Sequence, residues 1–446
     1  MSRLPLLERL GLHRRELRAW AMYDWANSAF VLVVITTIFP IFYQKVAAGG
    51  AGLSPEDATK WLSYATTGSL ITVALMSPVL GAVADFLGAK KKMLALFVSL
   101  GSAATAALFA IDSGDWIPAL ILFGLGNASL FLSFVFYDSL LPHLSRSEEE
   151  LDRVSTAGYA IGYLGSGLLM VFLLVMIQKP ETFGLADSGA ATRWSFLIVG
   201  AWWALFSIPL FRSVPEPPRQ IESDEADASS AVRVALSRLR ETAGELRGGY
   251  RQAFLMLVAF MIYNEGVSTV IRMGALYATA QGFPDQSVMI AILMIQFVGI
   301  PFAFLFGSIG PILGPKRSIL LCLVVYTGIS IVAYNMETIR QFYVMAALVA
   351  MVQGGTQGLS RSLFGSLVPK HKASEFFGFF SVFAKVAGIF GPLVFGLVIE
   401  FTGSLRYAML SVIVFFFLGG LLLSRVDVKS GQRAARQAEK TLLGAD

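Results

Sequence analysis

Polar and ionisable residues recur at helical spacing inside segments that are otherwise apolar. The stretch YDWANSAF (23–30) carries Asp24, Asn27 and Ser28 at i, i+3 and i+4. Residues 265–272 carry Glu265, Ser268, Thr269 and Arg272, and residues 353–360 carry Gln353, Thr356, Gln357 and Ser360, both at i, i+3, i+4 and i+7. In an α-helix such spacing places each set on one face. Carboxylate, carboxamide, hydroxyl and guanidinium groups in one stripe can pair with both ends of a small polar solute, and a carboxyl such as Glu265 can take up a proton on one side of a barrier and release it on the other. Asn127 and Lys385 stand alone in two further apolar segments. Other chemistry finds no support: no nucleophile stands with its base, no Gly-Lys-Ser/Thr loop is present to cradle phosphate, and one cysteine and three scattered histidines offer no metal site. The chain is expected to need no cofactor or metal and not to be an enzyme.

These stripes need elements to carry them. Of 446 residues 55% are hydrophobic and only 15% charged, with a mean hydropathy of +0.66, against about 25% charged in a soluble domain. About 20 apolar residues span a bilayer, and the sequence holds twelve such runs: 20–43, 61–84, 93–110, 116–137, 157–177, 194–211, 252–280, 287–310, 318–336, 341–363, 376–399 and 407–424. The first runs past the length of a signal peptide and lacks a small-residue cleavage site, so it is expected to stay in the mature protein. With the N-terminus cytoplasmic, 27 Lys and Arg fall in inside segments and 6 in outside loops, which predicts both termini in the cytoplasm of a multi-pass protein of a bacterial inner membrane. The basic residues form no single patch, so no nucleic-acid partner is expected.

The chain also repeats. GAVADFLGAKKK (81–92) and GSIGPILGPKR (307–317) align glycines and lysines at one offset, which also carries Asn127 onto Gln353 and Gly165 onto Gly391. Two six-helix halves follow: residues 1–211 and 252–425, joined by a polar linker (212–251) with an amphipathic face of Val232, Leu236, Leu239, Ala243 and Leu246, and followed by a tail (426–446).

Gly81, Asp85, Gly88 and Lys90 to Lys92, between the second and third spans, resemble the signature loop of the major facilitator superfamily. YDWANSAF, QGGTQGLSRSLFGSLVP and EFFGFFSVFAKVAGIFGP resemble the branch that holds bacterial members of unassigned substrate and the autophagy-related vacuolar amino-acid effluxers of fungi. The resemblance implies an all-α membrane fold of twelve transmembrane helices, spans 1, 4, 7 and 10 lining a central cavity, and secondary active transport by alternating access. The solute expected is small and polar or zwitterionic, such as an amino acid. Two departures stand out: Phe86 follows Asp85 where a basic residue is usual, and Pro311 replaces the acid in the second copy. The fifth span, GYAIGYLGSG, lacks the Gly-Pro pair of drug/proton antiporters. Proton-driven drug efflux and a non-transporting sensor or scaffold are the alternative readings.

On this reading Asp24, Asn27, Asn127, Glu265, Arg272, Gln353, Gln357 and Lys385 are the candidate solute-binding residues, with Glu265 also the proton carrier, and Gly81, Asp85, Gly88, Lys90 and Lys91 form the gate. Asp24 has a second reading as a gate residue paired with Arg18 or Arg361, and Lys385 is expected to find Glu265 or Asp24. Gln353 and Gln357 can equally hold helices together, and Tyr23 and Trp25 can be interfacial aromatics. The expected partners are the bilayer, the solute and coupled protons, and the expected state is a monomer.

Overall fold

In a computed structural model, which describes residues 5–219, 244–245, 248–386 and 390–442, the chain is helical, with no strand among the described residues. The helices are α1 (Arg15–Ala48), α2 (Pro55–Leu87), α3 (Lys90–Ala107), α4 (Trp116–Leu144), α5 (Glu148–Gln178) and α6 (Ser188–Ser213), then α7 (Arg251–Ala280), α8 (Asp285–Leu313), α9 (Pro315–Tyr334) and α10 (Ile339–Ser366). α11 is described in two parts, Ala373–Val386 and Phe390–Thr402, and is followed by α12 (Leu405–Ser424) and a tail helix α13 (Val428–Leu442). Eleven of the described helices are long and apolar enough to cross a membrane, and the two parts of α11 coincide with the remaining expected span. The amphipathic face expected in the linker lies outside the described residues.

Local chemistry sets the helix ends. Ser54 and Ser147 accept the backbone N–H of Asp57 and Glu150 at the starts of α2 and α5, and Thr338 with Gln341 forms a reciprocal capping box on α10. Gly88 ends α2 at φ 59°, a left-handed conformation that glycine adopts without cost. α1 widens to π-helical turns over Val31–Thr37 just before Pro40, which has no N–H to donate. Thr36 and Thr37 donate their hydroxyls to the carbonyls of Val31 and Leu32 there.

The helices pack around two apolar cores, one drawn from residues between Leu17 and Val214 and one from residues between Ala253 and Val426. Packing repeats with an offset of six helices: α1 lies against α6 as α7 does against α12, α2 against α4 as α8 against α10, and α3 against α6 as α9 against α12. The two sets meet through α2 with α11 and α5 with α8. The segments at both ends of the described chain meet one face, called the terminal face below: Arg14 donates to the carbonyl of Leu144 at 2.6 Å, and Arg436 of α13 pairs with Glu148 at the start of α5.

The helices outrun the apolar spans on this face. α4 continues to Leu144 and α5 begins at Glu148, so Asp138, Asp152 and Ser155, which hydropathy assigns to a loop, are helical residues, and so is Arg361 in α10. A hydropathy window marks the thickness of hydrocarbon, whereas a helix persists wherever its outward turns find polar partners.

Candidate functional site

Arg361 projects from α10 into a pocket built by α1, α4 and α5. Its Nη1 donates to Asp138 Oδ1 at 3.1 Å and its Nη2 to Asp24 Oδ2 at 3.3 Å; Nη2 also reaches the Ser155 carbonyl at 2.7 Å, and Nε donates to Ser155 Oγ at 2.9 Å. The guanidinium carbon lies 4.7 Å from the Trp20 ring centre, 4.8 Å from that of Tyr159 and 5.5 Å from that of Tyr137. Trp20 is itself stacked on Tyr137 at 4.3 Å and donates its indole N–H to the Tyr137 carbonyl. A planar cation over desolvated aromatic faces gains about 0.5–2 kcal/mol per ring, and its rigid fork suits two carboxylates at once. Arg361 is only 4% exposed and Asp24 6%. Of the two partners weighed for Asp24, Arg361 is the one present; Arg18 donates instead to the carbonyls of Leu12 and His13.

Gly158 makes this approach feasible. A Cβ there would stand 2.2 Å from Asp24 Oδ2 and 3.1 Å from Arg361 Nη2. Gly158→Ala is therefore expected to push the pair apart at a cost of about 1–3 kcal/mol, read as a lower melting temperature together with faster cysteine labelling from the terminal face. Unchanged values for both would remove Gly158 from the account.

A second crossing joins α2 to α11. Asp85 Oδ2 accepts the Glu375 N–H at 2.9 Å, in the first turn of α11 where the helix dipole favours an anion, and Lys90 Nζ holds Asp85 Oδ1 at 2.8 Å while lying 3.1 Å from His143 Nε2. Gly81 allows the contact, since a Cβ there would sit 2.3 Å from the Ser374 carbonyl oxygen. Gly88 and Lys91 meet the end of α6 and the start of the linker: Gly88 packs on Arg219, and Lys91 Nζ donates to the carbonyls of Phe211 and Val214. Asp85→Asn keeps the shape but gives up the charge, so terminal-face labelling is expected to rise severalfold, and identical labelling would contradict the assignment.

More bonds join the two bundles on this face: Ser362 donates to Asp152, Ser155 to the Gly358 carbonyl at 2.7 Å, and Ser374 to Ser139 at 2.9 Å. Near the middle, Ser166 donates to Gln296 at 3.1 Å. On the opposite face the polar pairs of the described residues remain within one bundle, as in Arg193 with Asp112, Gln281 with the Met336 carbonyl and Arg406 with Glu337. Polar closure between the bundles is thus one-sided among the described residues, while Met289, Ile292 and Leu293 of α8 add apolar packing against the first core.

Between these levels lie the other candidates. Gln353, Gln357 and Arg361 form one stripe of α10 that leads from mid-helix to the gate. Gln357 Nε2 donates to Asn264 at 2.7 Å, while Gln353 Oε1 is buried with no hydrogen-bond partner among the described residues. Glu265, 2% exposed halfway along α7, accepts the Gly391 N–H with Oε1, and its Oε2 and the nearby Thr269 hydroxyl have no partner among the described residues. Lys385 departs from expectation: Glu265 and Asp24 are both engaged elsewhere, and its ammonium sits 3.2 Å from the centre of the Phe131 ring on α4. No acid among the described residues lies within ion-pair distance of it. Arg272 is exposed. Asn27 donates to the Tyr23 carbonyl at 2.7 Å, and Asn127 to Ser69 at 2.6 Å. Tyr23 and Trp25 are packed inside the first bundle, Tyr23 donating to Ser133 and Trp25 stacking on Trp202. The sequence reading passed over Asp138, Asn264, Tyr137 and Tyr159; Asn264 stands next to Glu265, and the YDS triplet of 137–139 was the available sign of Tyr137 and Asp138.

A family model described as "Vacuole effluxer Atg22 like" matches residues 12–436. The chain belongs to that family. A relative of this Atg22-like protein is an "Uncharacterized MFS-type transporter YxiO" of Bacillus subtilis, 36% identical over 421 residues that cover 94% of this chain and 96% of the relative. Autophagy-related protein 22 of Kluyveromyces lactis is 22% identical over 480 residues, covering 95% of this chain and 96% of the relative. The fold resembles the major facilitator superfamily (MFS) proton:xylose symporter XylE bound to 6-bromo-6-deoxy-D-glucose, with TM-score 0.65 at 12% identity over 94% of this chain and 95% of the other. It also resembles the MFS transporter FucP in the outward conformation, with TM-score 0.66 at 12% identity over 93% and 99% of the two chains. The Atg22-like protein is a twelve-helix transporter of the major facilitator type and not an enzyme.

Proposed function

We propose that this Atg22-like transporter moves a small zwitterionic solute, such as an amino acid, by alternating access between its two bundles. The observation that carries this reading is the one-sided closure: Arg361, Asp85, Asp152 and Ser139 join the bundles on the terminal face, while polar contacts on the opposite face stay within each bundle. Rocking the bundles would exchange the closed side. The excess of Lys and Arg on the side of the termini supports a cytoplasmic terminal face, in a bacterial inner membrane, so that the described state opens outward.

Mid-membrane chemistry supports the solute class. Lys385 offers an ammonium with no acid within ion-pair distance among the described residues, suited to a carboxylate, and Glu265 with the carboxamides of Asn264, Gln353 and Gln357 suits an amino group. Arg272 is positioned along the same helix as Glu265, and Glu265 serves as the proton carrier. In proteoliposomes loaded with unlabelled amino acids, the wild type is expected to accumulate the labelled solute by counterflow, and Lys385→Ala is expected to lower that uptake at least tenfold. Counterflow of sugars or nucleosides with none of any amino acid would overturn the reading.

A further inference from the structure

A guanidinium group is already seated in this protein, and the pocket that holds it belongs wholly to the first bundle. Trp20, Asp24, Tyr137, Asp138, Ser155 and Tyr159 come from α1, α4 and α5, whereas Arg361 comes from α10 of the second bundle. Three aromatic rings, two carboxylates and a backbone carbonyl surround one planar cation. The side chains of both carboxylates are shielded, Asp24 at 9% exposure and Asp138 at 14%.

Alternating access empties this pocket. When the bundles part on the terminal face, Arg361 leaves with α10, and the aromatic cage with its two acids opens to that side without a counter-charge. We infer that the vacated cage is the entry site for the solute, and that the solute carries a guanidinium or ammonium group on its side chain, as basic amino acids do. Its cationic end takes the place of Arg361 between Asp24 and Asp138 and over the rings, since cation–π and carboxylate contacts both select a cation over its neutral isostere. As the bundles close again, Arg361 returns as a tethered competitor and displaces the solute toward the middle of the membrane, where Lys385 and Glu265 lie. No covalent step is involved; the exchange is of one cation for another.

This inference rests on the alternating-access reading, so the binding and transport arms are kept separate. Arg361→Ala, which empties the cage in every state, is purified and its melting temperature followed with methylguanidinium and with N-methylurea, its uncharged isostere. Stabilisation by methylguanidinium at concentrations at least tenfold below those needed for N-methylurea, abolished when Asp138→Asn is added, is the expected result. Equal responses, or none, overturn the inference. Should Arg361→Ala fail to yield folded protein, wild-type proteoliposomes decide it: L-arginine should drive counterflow at least tenfold faster than L-citrulline. Counterflow of neutral amino acids with no preference for L-arginine overturns the cationic-solute inference and leaves the transport reading standing. Absence of counterflow with every amino acid, beside normal binding of methylguanidinium to the variant, sinks the transport reading and leaves the cage as a cation site.

Discussion

Arg361→Ala is expected to shift the protein away from the state closed on the terminal face and to make its mid-membrane residues reactive from that side. The reason is the balance of charge in the pocket. Asp24 and Asp138 are both well shielded and share this guanidinium, which also contributes the hydrogen bonds to Ser155. Removing one partner of a buried ion pair costs about 3–5 kcal/mol because the remaining charges stay desolvated. A protein with two accessible states has a cheaper exit: opening the terminal face hydrates both carboxylates. Since about 1.4 kcal/mol is a tenfold change in an equilibrium, a penalty of this size suffices to invert a population in which the closed state dominates. Cysteines placed at Gln357 or Asn264 should then label from the terminal face at rates tens of times those in the parent protein. Arg361→Lys, which keeps the charge and loses the fork, should fall between the two. Labelling that is equal in all three proteins would show that Arg361 does not hold the gate.

The second large effect concerns energy coupling. Glu265→Gln is expected to abolish solute accumulation driven by a pH gradient while sparing exchange between compartments of equal pH. The carboxyl is 2% exposed at the middle of α7, with one oxygen on the Gly391 N–H and the other without a partner among the described residues. The carboxamide resembles the protonated acid in shape and can accept the same N–H bond, but it can neither bind nor release the proton. Gly391 lies in the second part of α11, and the first part meets α2 at the gate. Full pH-driven accumulation by the variant would remove the proton-carrier role; loss of exchange as well would assign Glu265 to solute binding.

The sequence made some of this legible and left the rest hidden, for reasons that lie in particular residues. Asp85 could be assigned to the gate because the glycine and lysine pattern around it repeats in the chain and resembles a known loop. The stripes of α7 and α10 could be read from spacing alone, because a helical period turns sequence into a face. Partners are another matter. Spacing tells which side of α1 holds Asp24 and offers Arg18 and Arg361 alike as partners, but only the packing of α10 against the first bundle decides for Arg361. Asp138 and Asp152 fall outside the expected spans because apolar windows stop where polar residues begin, although α4 and α5 continue through them. Lys385 was expected to face an acid; it faces Phe131, whose ring stabilises a cation through its quadrupole and leaves no charge signature in the sequence.

The most direct test of one-sided closure is a distance between spin labels at Leu87, at the end of α2, and Leu313, at the end of α8, two exposed positions on the terminal face of different bundles. The wild type should show mainly one short distance, with a second, longer distance gaining population in Arg361→Ala and on addition of solute. A single distance that stays the same in the wild type, in Arg361→Ala and with solute present would contradict alternating access through this gate.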